Sequence, residues 1–477
     1  MHTNLLLAIV LVPITGSFLL PVAGRISERM RNALALLLVI IPLIGSALIA
    51  PIVLTGQKIT ILWGVPLGFD FILTADRLAV FMALVSSLIS AIIILYSFGY
   101  ISHYDNRNEY YFMVVLFVGA MMGIVYSGNL IFLYLFWEIT AITSWRLIGF
   151  FRAKEHVIKA DKAFLVTIGG ALAMLIGFIF IYQKTGSFDL VVIKETLKGI
   201  PIPDIFVMLI LFGILSKSAT LPFHTWLPDA GVAPSPVTAL LHAALLVKIG
   251  VYVFARLFIV TFSYTAVWHT ILPVIAAISA LVAAGAALVE TDMKRIIAYS
   301  TVSQIAFIFL GFSVGNEIGI AGALLFILMH GLAKGGLFLC AGIVEQNTKT
   351  KDIRKLGGLI STMPITAVSF FACSLSVMGV PPFGGFFSKY LVFSGAVSSG
   401  HIMIALTFLF GSLLTIVYLF RIFNMIFLGE GSIKAREGSA TMVFSVAALA
   451  VLSIIGGICI SYPSGFAGAC VKQMLGL

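Results

Sequence analysis

Glu138, Lys217, Lys248, His330 and Lys334 all stand deep inside long apolar runs of this 477-residue chain. In low dielectric a carboxylate beside an ammonium stabilises both charges, and a lysine stripped of water can load and release a proton near neutral pH. Imidazole titrates in that range unaided. Holding such groups at bilayer depth costs several kcal/mol each on insertion scales, so side chains of these types in a row suit a proton relay. A set of structural ion pairs is the competing reading.

Glu138 lies in Phe136-Trp137-Glu138-Ile139-Thr140, and Lys217 is the nearest candidate cation in the same half of the chain. Lys217 and Lys248 are the leading relay candidates. His330 and Lys334 are four apart and share a helix face, which continues a proton path; His242 either bridges toward them or is a satisfied core histidine. Arg146, two turns beyond Glu138, either competes with Lys217 for that carboxylate or reaches the aqueous boundary. Arg256 and Arg421, near span ends, are expected to snorkel. Asp76 and Arg77 begin a span and are expected to anchor it.

Cys340, Cys373, Cys459 and Cys470 are far apart, with no C-x-x-C and no neighbouring histidine, so no zinc or iron-sulfur site is expected and no cofactor is assigned to this chain. His242 and His330 are isolated rather than paired at haem spacing, which argues against a cytochrome b-like carrier.

The elements that must position these residues follow from composition. Hydrophobic residues make up 61% and charged residues 10%, against roughly 25% charged in soluble domains. Apolar runs lie near 4–23, 31–54, 76–97, 111–126, 128–150, 163–183, 203–222, 236–261, 267–289, 295–313, 317–344, 362–398, 401–427 and 440–462. Each can cross the roughly 30 Å hydrocarbon layer as a helix, which predicts an all-α integral membrane protein of about fourteen transmembrane helices. The first run lacks a basic leader and a small-residue cleavage site, so it reads as a retained helix.

The net charge of +10 is spread over short loops and marks topology rather than a nucleic-acid partner. The odd-numbered connections carry Arg25, Arg29, Arg31, Arg107, Arg152, Lys154, Lys159, Lys294, Arg295, Lys349, Lys351, Arg354, Lys355, Lys434 and Arg436; the even ones hold little beyond Lys58, Lys184, Lys194 and Lys198. The positive-inside rule puts the odd connections in the cytoplasm of a prokaryotic cell and both termini outside.

Two spans are interrupted, the seventh within Ser216–Asp229, with His224 an auxiliary candidate inside it, and the twelfth within Gly379–Gly385. A lysine stands beside each break, Lys217 and Lys389. Proline frees backbone groups that must meet protein or water, so broken helices usually line a cavity. Paired breaks five spans apart predict two inverted five-helix repeats, helices 4–8 (residues 111–261) and 9–13 (267–427), with helices 7 and 12 discontinuous. Residues 1–110 hold helices 1–3 and residues 440–462 helix 14, in one membrane domain.

The motifs Phe136-Trp137-Glu138, Ser216 through Ala230, Pro234-Ser-Pro-Val-Thr-Ala-Leu-Leu-His242, Asp292 through Gln304, and His330 resemble the antiporter-like subunits shared by respiratory complex I, group 4 membrane-bound hydrogenases and Mrp-type sodium/proton antiporters. The resemblance covers nearly the whole chain. It implies a coupling pair, Glu138 and Lys217, a central lysine, Lys248, and a terminal one, Lys389. His242, His330 and Lys334 fall at connecting polar positions, and Asp229 in the cytoplasmic access region. Two departures are Arg146, where an uncharged residue is usual, and a chain expected to stop after helix 14.

The function so implied is a proton-translocating subunit of a multisubunit respiratory or antiporter complex. The chain would not be catalytic by itself; it would be the pumping subunit of a hydrogenase or NADH/ferredoxin dehydrogenase type, with iron-sulfur and redox chemistry on hydrophilic partner subunits and other membrane subunits beside it. Exchange of protons for sodium is left open. The alternatives are an Mrp-type antiporter subunit with no redox partner and a stand-alone solute or ion symporter; lysines spread over both halves favour a relay over one central pocket.

Overall fold

The computed structural model describes residues 2–65, 69–431, 433 and 435–477; Lys434, one of the charges assigned above to the odd connections, lies outside the described residues. The chain begins with α1 (His2–Ser17) and α2 (Leu20–Ile26), a pair bent by 52°, then α3 (Glu28–Leu54). A hairpin of β1 (Ile59–Trp63) and β2 (Phe71–Ala75) leads into α4 (Arg77–Tyr100), α5 (Arg107–Tyr126), α6 (Leu130–Ile148) and α7 (Lys154–Thr185). After a short α8 (Leu190–Thr196) come α9 (Asp204–Lys217), α10 (Trp226–Asp229), α11 (Ser235–Ala239) and α12 (Leu246–Phe254). The second half holds α13 (Trp268–Val289), α14 (Met293–Ser313), α15 (Glu317–Thr348), α16 (Pro364–Met378), α17 (Gly384–Ser398), α18 (Ile402–Phe427), α19 (Ala440–Ile458) and α20 (Ser461–Leu475).

Among the described residues eleven helices are long and apolar enough to cross a membrane, twelve if the bent first pair is one span. The protein is an α-helical, multi-pass membrane protein. Short polar residues start the helices by capping free amides: Asp76 accepts from Ala79 (2.9 Å), Asn129 from Ile131 (2.8 Å) and Asn316 from Gly319 (2.7 Å). Left-handed residues end others, Gly186 (φ +68°) after α7 and Lys349 (φ 59°) after α15. The most buried spans are α14 and α15, so the second half is built around this pair.

Connections of like parity meet. On the odd face Arg107 lies 3.5 Å from Glu28, Arg152 2.7 Å from Glu109, and the Met293 amide donates to the Lys351 carbonyl at 2.9 Å. On the even face Gly128 donates to Ile72 (2.8 Å) and Ile202 to Ser263 (2.9 Å).

Three features depart from the expectations. The β1–β2 hairpin, with Ile59 opposite Ala75, stands where a plain connection was expected; its alternating residues are too few for a hydropathy window to register. The last span does not run to 462: α19 ends at Ile458 and α20 follows, so helix 14 is not the final element. Ser461, Ser464, Lys472 and Gln473 dilute the hydropathy of α20, and what seats it is tertiary. The Arg77 guanidinium bridges Val53 and Leu54 carbonyls at the end of α3 (3.0 Å each) to the Ala469 carbonyl (2.8 Å), while Gln473 accepts from the Arg77 amide (2.9 Å). Third, the expected eighth span is not one regular helix. It carries π-helical turns at Leu240–Ala244 and Ala255–Thr261 around α12.

Candidate functional site

The fourteen-residue α9 is about 21 Å long and stops at Lys217. The break closes on protein rather than lipid. The Trp226 indole donates to the Ser216 carbonyl (2.9 Å), the Thr220 amide to Leu215 (2.9 Å), and the Leu221 amide to the Ser279 hydroxyl (3.2 Å). Lys217 is fully buried; its ammonium donates to the Trp137 carbonyl (3.2 Å) and lies 5.2 Å from the Trp137 ring centre.

That seat puts Lys217 beside the backbone that carries Glu138, yet the two side chains form no direct ion pair. Glu138 is half-buried, and its Oε1 has no protein hydrogen-bond partner. The charge of Lys217 acts on it through space. Arg146 is not a competitor. It pairs with Glu109, which also binds Arg152 at 2.7 Å, so it belongs to the odd face.

Lys248 sits on α12, between the two π-helical turns, and is fully buried. Its ammonium donates to the Ile327 carbonyl of α15 at 2.5 Å, close to the bare backbone of Gly331. One turn on, His330 is buried with neither ring nitrogen bonded to protein, and the charges of Lys248, Lys334 and Lys389, as well as His242, reach it. Lys334 donates to the Ser300 hydroxyl (2.5 Å), which meets Tyr418 (2.9 Å), and Tyr418 meets Thr415 (3.2 Å). His242 lies in the first π segment, its ring 4.5 Å from that of Phe338 and both nitrogens free of protein partners. Buried polar atoms are normally bonded, so two buried histidines without a protein partner, close to three lysines, are the exceptions of this core.

Lys389 completes the row from the second break. α16 ends on left-handed Gly379 (φ +84°), α17 restarts at Gly384, and the Lys389 ammonium returns to donate to the freed Val377 carbonyl at 2.8 Å, over the Phe307 ring at 4.7 Å. All four lysines of this row, Lys217, Lys248, Lys334 and Lys389, therefore reach backbone carbonyls, Lys334 meeting Ile297 at 3.4 Å as well as the Ser300 hydroxyl.

On the odd face, Asp229 at the end of α10 binds Lys162 (2.7 Å) and Arg295 (2.6 Å), and Arg295 binds Glu290 (2.8 Å). Asp229 and Arg295 border a polar cavity of about 280 Å³ lined also by His156, Asp292 and Lys351. His224 is half-buried in the same interruption. Burial alone would raise the Asp229 pKa, but its two cationic partners outweigh that and hold it below the usual carboxylate range. A depressed folded value stabilises above the unfolded value, about 3.9, and the stabilisation is lost as pH falls through the folded one. The thermal stability of the solubilised protein should therefore fall below about pH 4, and Asp229→Asn should flatten that part of the profile; an unchanged profile would remove the ion pairs' role.

Two buried pairs were not legible as such. Lys294, counted among the topology charges, is 1% exposed and donates to the Ala233 carbonyl (2.7 Å) and to Glu345 (3.0 Å). Arg256 does not snorkel: it forms a bidentate pair with Asp76 at 2.5 and 2.8 Å, both buried. Arg421 donates to the Leu288 and Ala287 carbonyls at the end of α13. Only the repeat of a lone charge near an apolar span hinted at these partners, and their positions in sequence are 51 and 180 residues apart.

A family model described as "NADH:quinone oxidoreductase/Mrp antiporter, TM" matches residues 127–415, and one described as "NADH-Ubiquinone oxidoreductase (complex I), chain 5 N-terminus" matches residues 65–112. The chain is 35% identical over 433 residues to a Na(+)/H(+) antiporter subunit of Alkalihalophilus pseudofirmus, covering 83% of this chain and 54% of that protein. It is 32% identical over 492 residues to a Na(+)/H(+) antiporter subunit of Staphylococcus haemolyticus, covering 95% and 61%. It thus spans about half to three-fifths of the curated relatives it matches. The fold is shared with a chain of the Mrp complex from Dietzia sp. DQ12-45-1b (TM-score 0.89, 23% identity, 99% of this chain and 97% of that one). It is shared equally with a chain of the membrane-bound sulfane sulfur reductase, an archaeal respiratory membrane complex (0.90, 24%, 98% of each). With a family model over more than half its length and a relative above 30% identity along most of it, the chain belongs to the NADH:quinone oxidoreductase/Mrp antiporter family of membrane subunits.

Proposed function

We propose that the chain is a proton-translocating, antiporter-like subunit that passes protons along Glu138, Lys217, Lys248, His330, Lys334 and Lys389, with His242, His224, Asp229 and Arg146 as auxiliary groups. The observation that carries this reading is His330, a buried imidazole free of protein hydrogen bonds with Lys248, Lys334, Lys389 and His242 around it. Each neighbour sits on a different helix or turn, except Lys334, so a proton can be handed between spans without a moving carrier.

The meeting of like-parity connections favours fourteen alternating crossings, with α9–α10 and α16–α17 as the interrupted seventh and twelfth spans and α19 as the last. The paired breaks, each with a buried lysine, favour inverted repeats over helices 4–8 and 9–13 within one membrane domain. The excess of Lys and Arg on the odd face orients that face to the cytoplasm of a prokaryotic cell membrane.

The chain works with other membrane subunits, and redox drive, where present, comes from hydrophilic partners. A second reading, an Mrp-type subunit exchanging protons for sodium with no redox partner, is favoured by relatives named as Na(+)/H(+) antiporter subunits. Proton and sodium movement in vesicles holding the intact complex tests both. Glu138→Gln and Lys217→Ala should each slow proton movement by roughly tenfold or more with assembly unchanged. Sodium movement falling in parallel selects the antiporter reading, and wild-type rates in both variants would leave these residues structural.

A further inference from the structure

The stripe that carries Lys248 continues toward the even face. Tyr252 and Arg256 follow at successive four-residue steps, so the three side chains share one side of the helix. The Tyr252 hydroxyl donates to the Val125 carbonyl at 2.5 Å and accepts from Arg256 at 3.1 and 3.0 Å. Arg256 in turn grips Asp76 with both ends of its fork.

Asp76 and Arg256 are 6% and 7% exposed, yet they stand next to the aqueous rim, where the exposed Lys58 is close enough for its charge to act on Asp76. The carboxylate is held from every side. It follows β2 directly, caps α4 through the Ala79 amide, and precedes Arg77, which ties the ends of α3 and α20 together. A buried ion pair of this kind is a poor source of net stability, since desolvation offsets its attraction, so its placement at the end of a lysine-bearing stripe asks for another use.

We propose that the Asp76–Arg256 pair is the even-face terminus of the proton path, with Asp76 taking the proton that leaves Lys248 and Arg256 acting as its fixed counter-ion. The inference rests on the relay reading above. One proton leaves the Lys248 ammonium, which becomes an amine. The Tyr252 hydroxyl, turning its proton from the Val125 carbonyl toward Asp76, takes one proton as it gives one up, and the Asp76 carboxylate becomes a carboxylic acid that releases its proton to the even-face solution. Arg256 keeps its charge throughout.

The test is proton movement in vesicles holding the intact complex, for the double variant Asp76→Asn with Arg256→Gln beside Asp76→Glu and Lys248→Met. The double variant keeps a capping side chain and two hydrogen-bonding partners but removes both charges of the pair. Roughly tenfold or greater loss in the assembled double variant, with Asp76→Glu active, is the expected result. Wild-type transport by the double variant while Lys248→Met is inactive overturns this proposal and leaves the relay reading standing; wild-type transport by Lys248→Met overturns both. Should the double variant not assemble, Tyr252→Phe decides, because it spares the ion pair and the packing: a several-fold loss is expected, and an unchanged rate overturns the proposed path.

Discussion

Lys248→Met is expected to stop proton movement by the intact complex while leaving the fold in place. The Lys248 ammonium touches the Ile327 carbonyl at 2.5 Å and borders His330, the meeting point of the buried groups. Methionine reproduces the unbranched side chain as far as Cε and lacks only the ammonium, so most of the packing survives. Removing the charge also removes the cost of burying it, so thermal stability should hold or rise. What is lost is the one group on α12 able to carry a proton at this depth, and such groups contribute about 100-fold or more to the rate of proton transfer. Transport in vesicles, read against the amount of assembled complex, checks this. A variant that transports normally would make the lysine a structural prop for the Ile327 carbonyl.

Gly385→Ala should have the largest effect on stability. A methyl group there would lie 1.8 Å from the Ser376 carbonyl oxygen and 2.8 Å from its carbon, and both belong to backbone that cannot rotate away. The last turn of α16 and the first of α17 would have to part by more than an ångström. The Lys389 bond to Val377 crosses the same gap and would go with it. Overpacking of this kind costs roughly 1–3 kcal/mol where side chains can adjust, and more where only backbone can move. Gly169→Ala, on a helix where an added methyl meets nothing within 4 Å, is the matching control and should be neutral or mildly stabilising. Equal unfolding midpoints for the two variants in the solubilised protein would contradict the close approach at the break.

Much of this architecture is legible in the chain because lipid imposes strict rules. Apolar runs of about twenty residues cannot be anything but spans, and Pro-Gly interruptions beside lysines cannot lie against hydrocarbon. Both inferences use local composition alone. α20 escaped because its polar residues keep its hydropathy low and its position depends on Arg77, almost four hundred residues away. The β1–β2 hairpin escaped for the same reason at a smaller scale.

The pairing of charges was the harder part. Nothing local distinguishes Arg146, which ends on Glu109 at the odd face, from Lys217, whose charge reaches Glu138 without touching it. Nor does sequence separate Lys294, buried against Glu345, from the exposed lysines of neighbouring loops. By itself the sequence determined the medium, the helical class, the two breaks and the row of lysines and histidines deep in the spans, because each follows from the cost of polar groups in lipid. Only the tertiary structure decided which of those residues face one another and which rest on carbonyls, because Coulomb energy and hydrogen bonding depend on distances of a few ångströms that helix packing, and not chain order, sets.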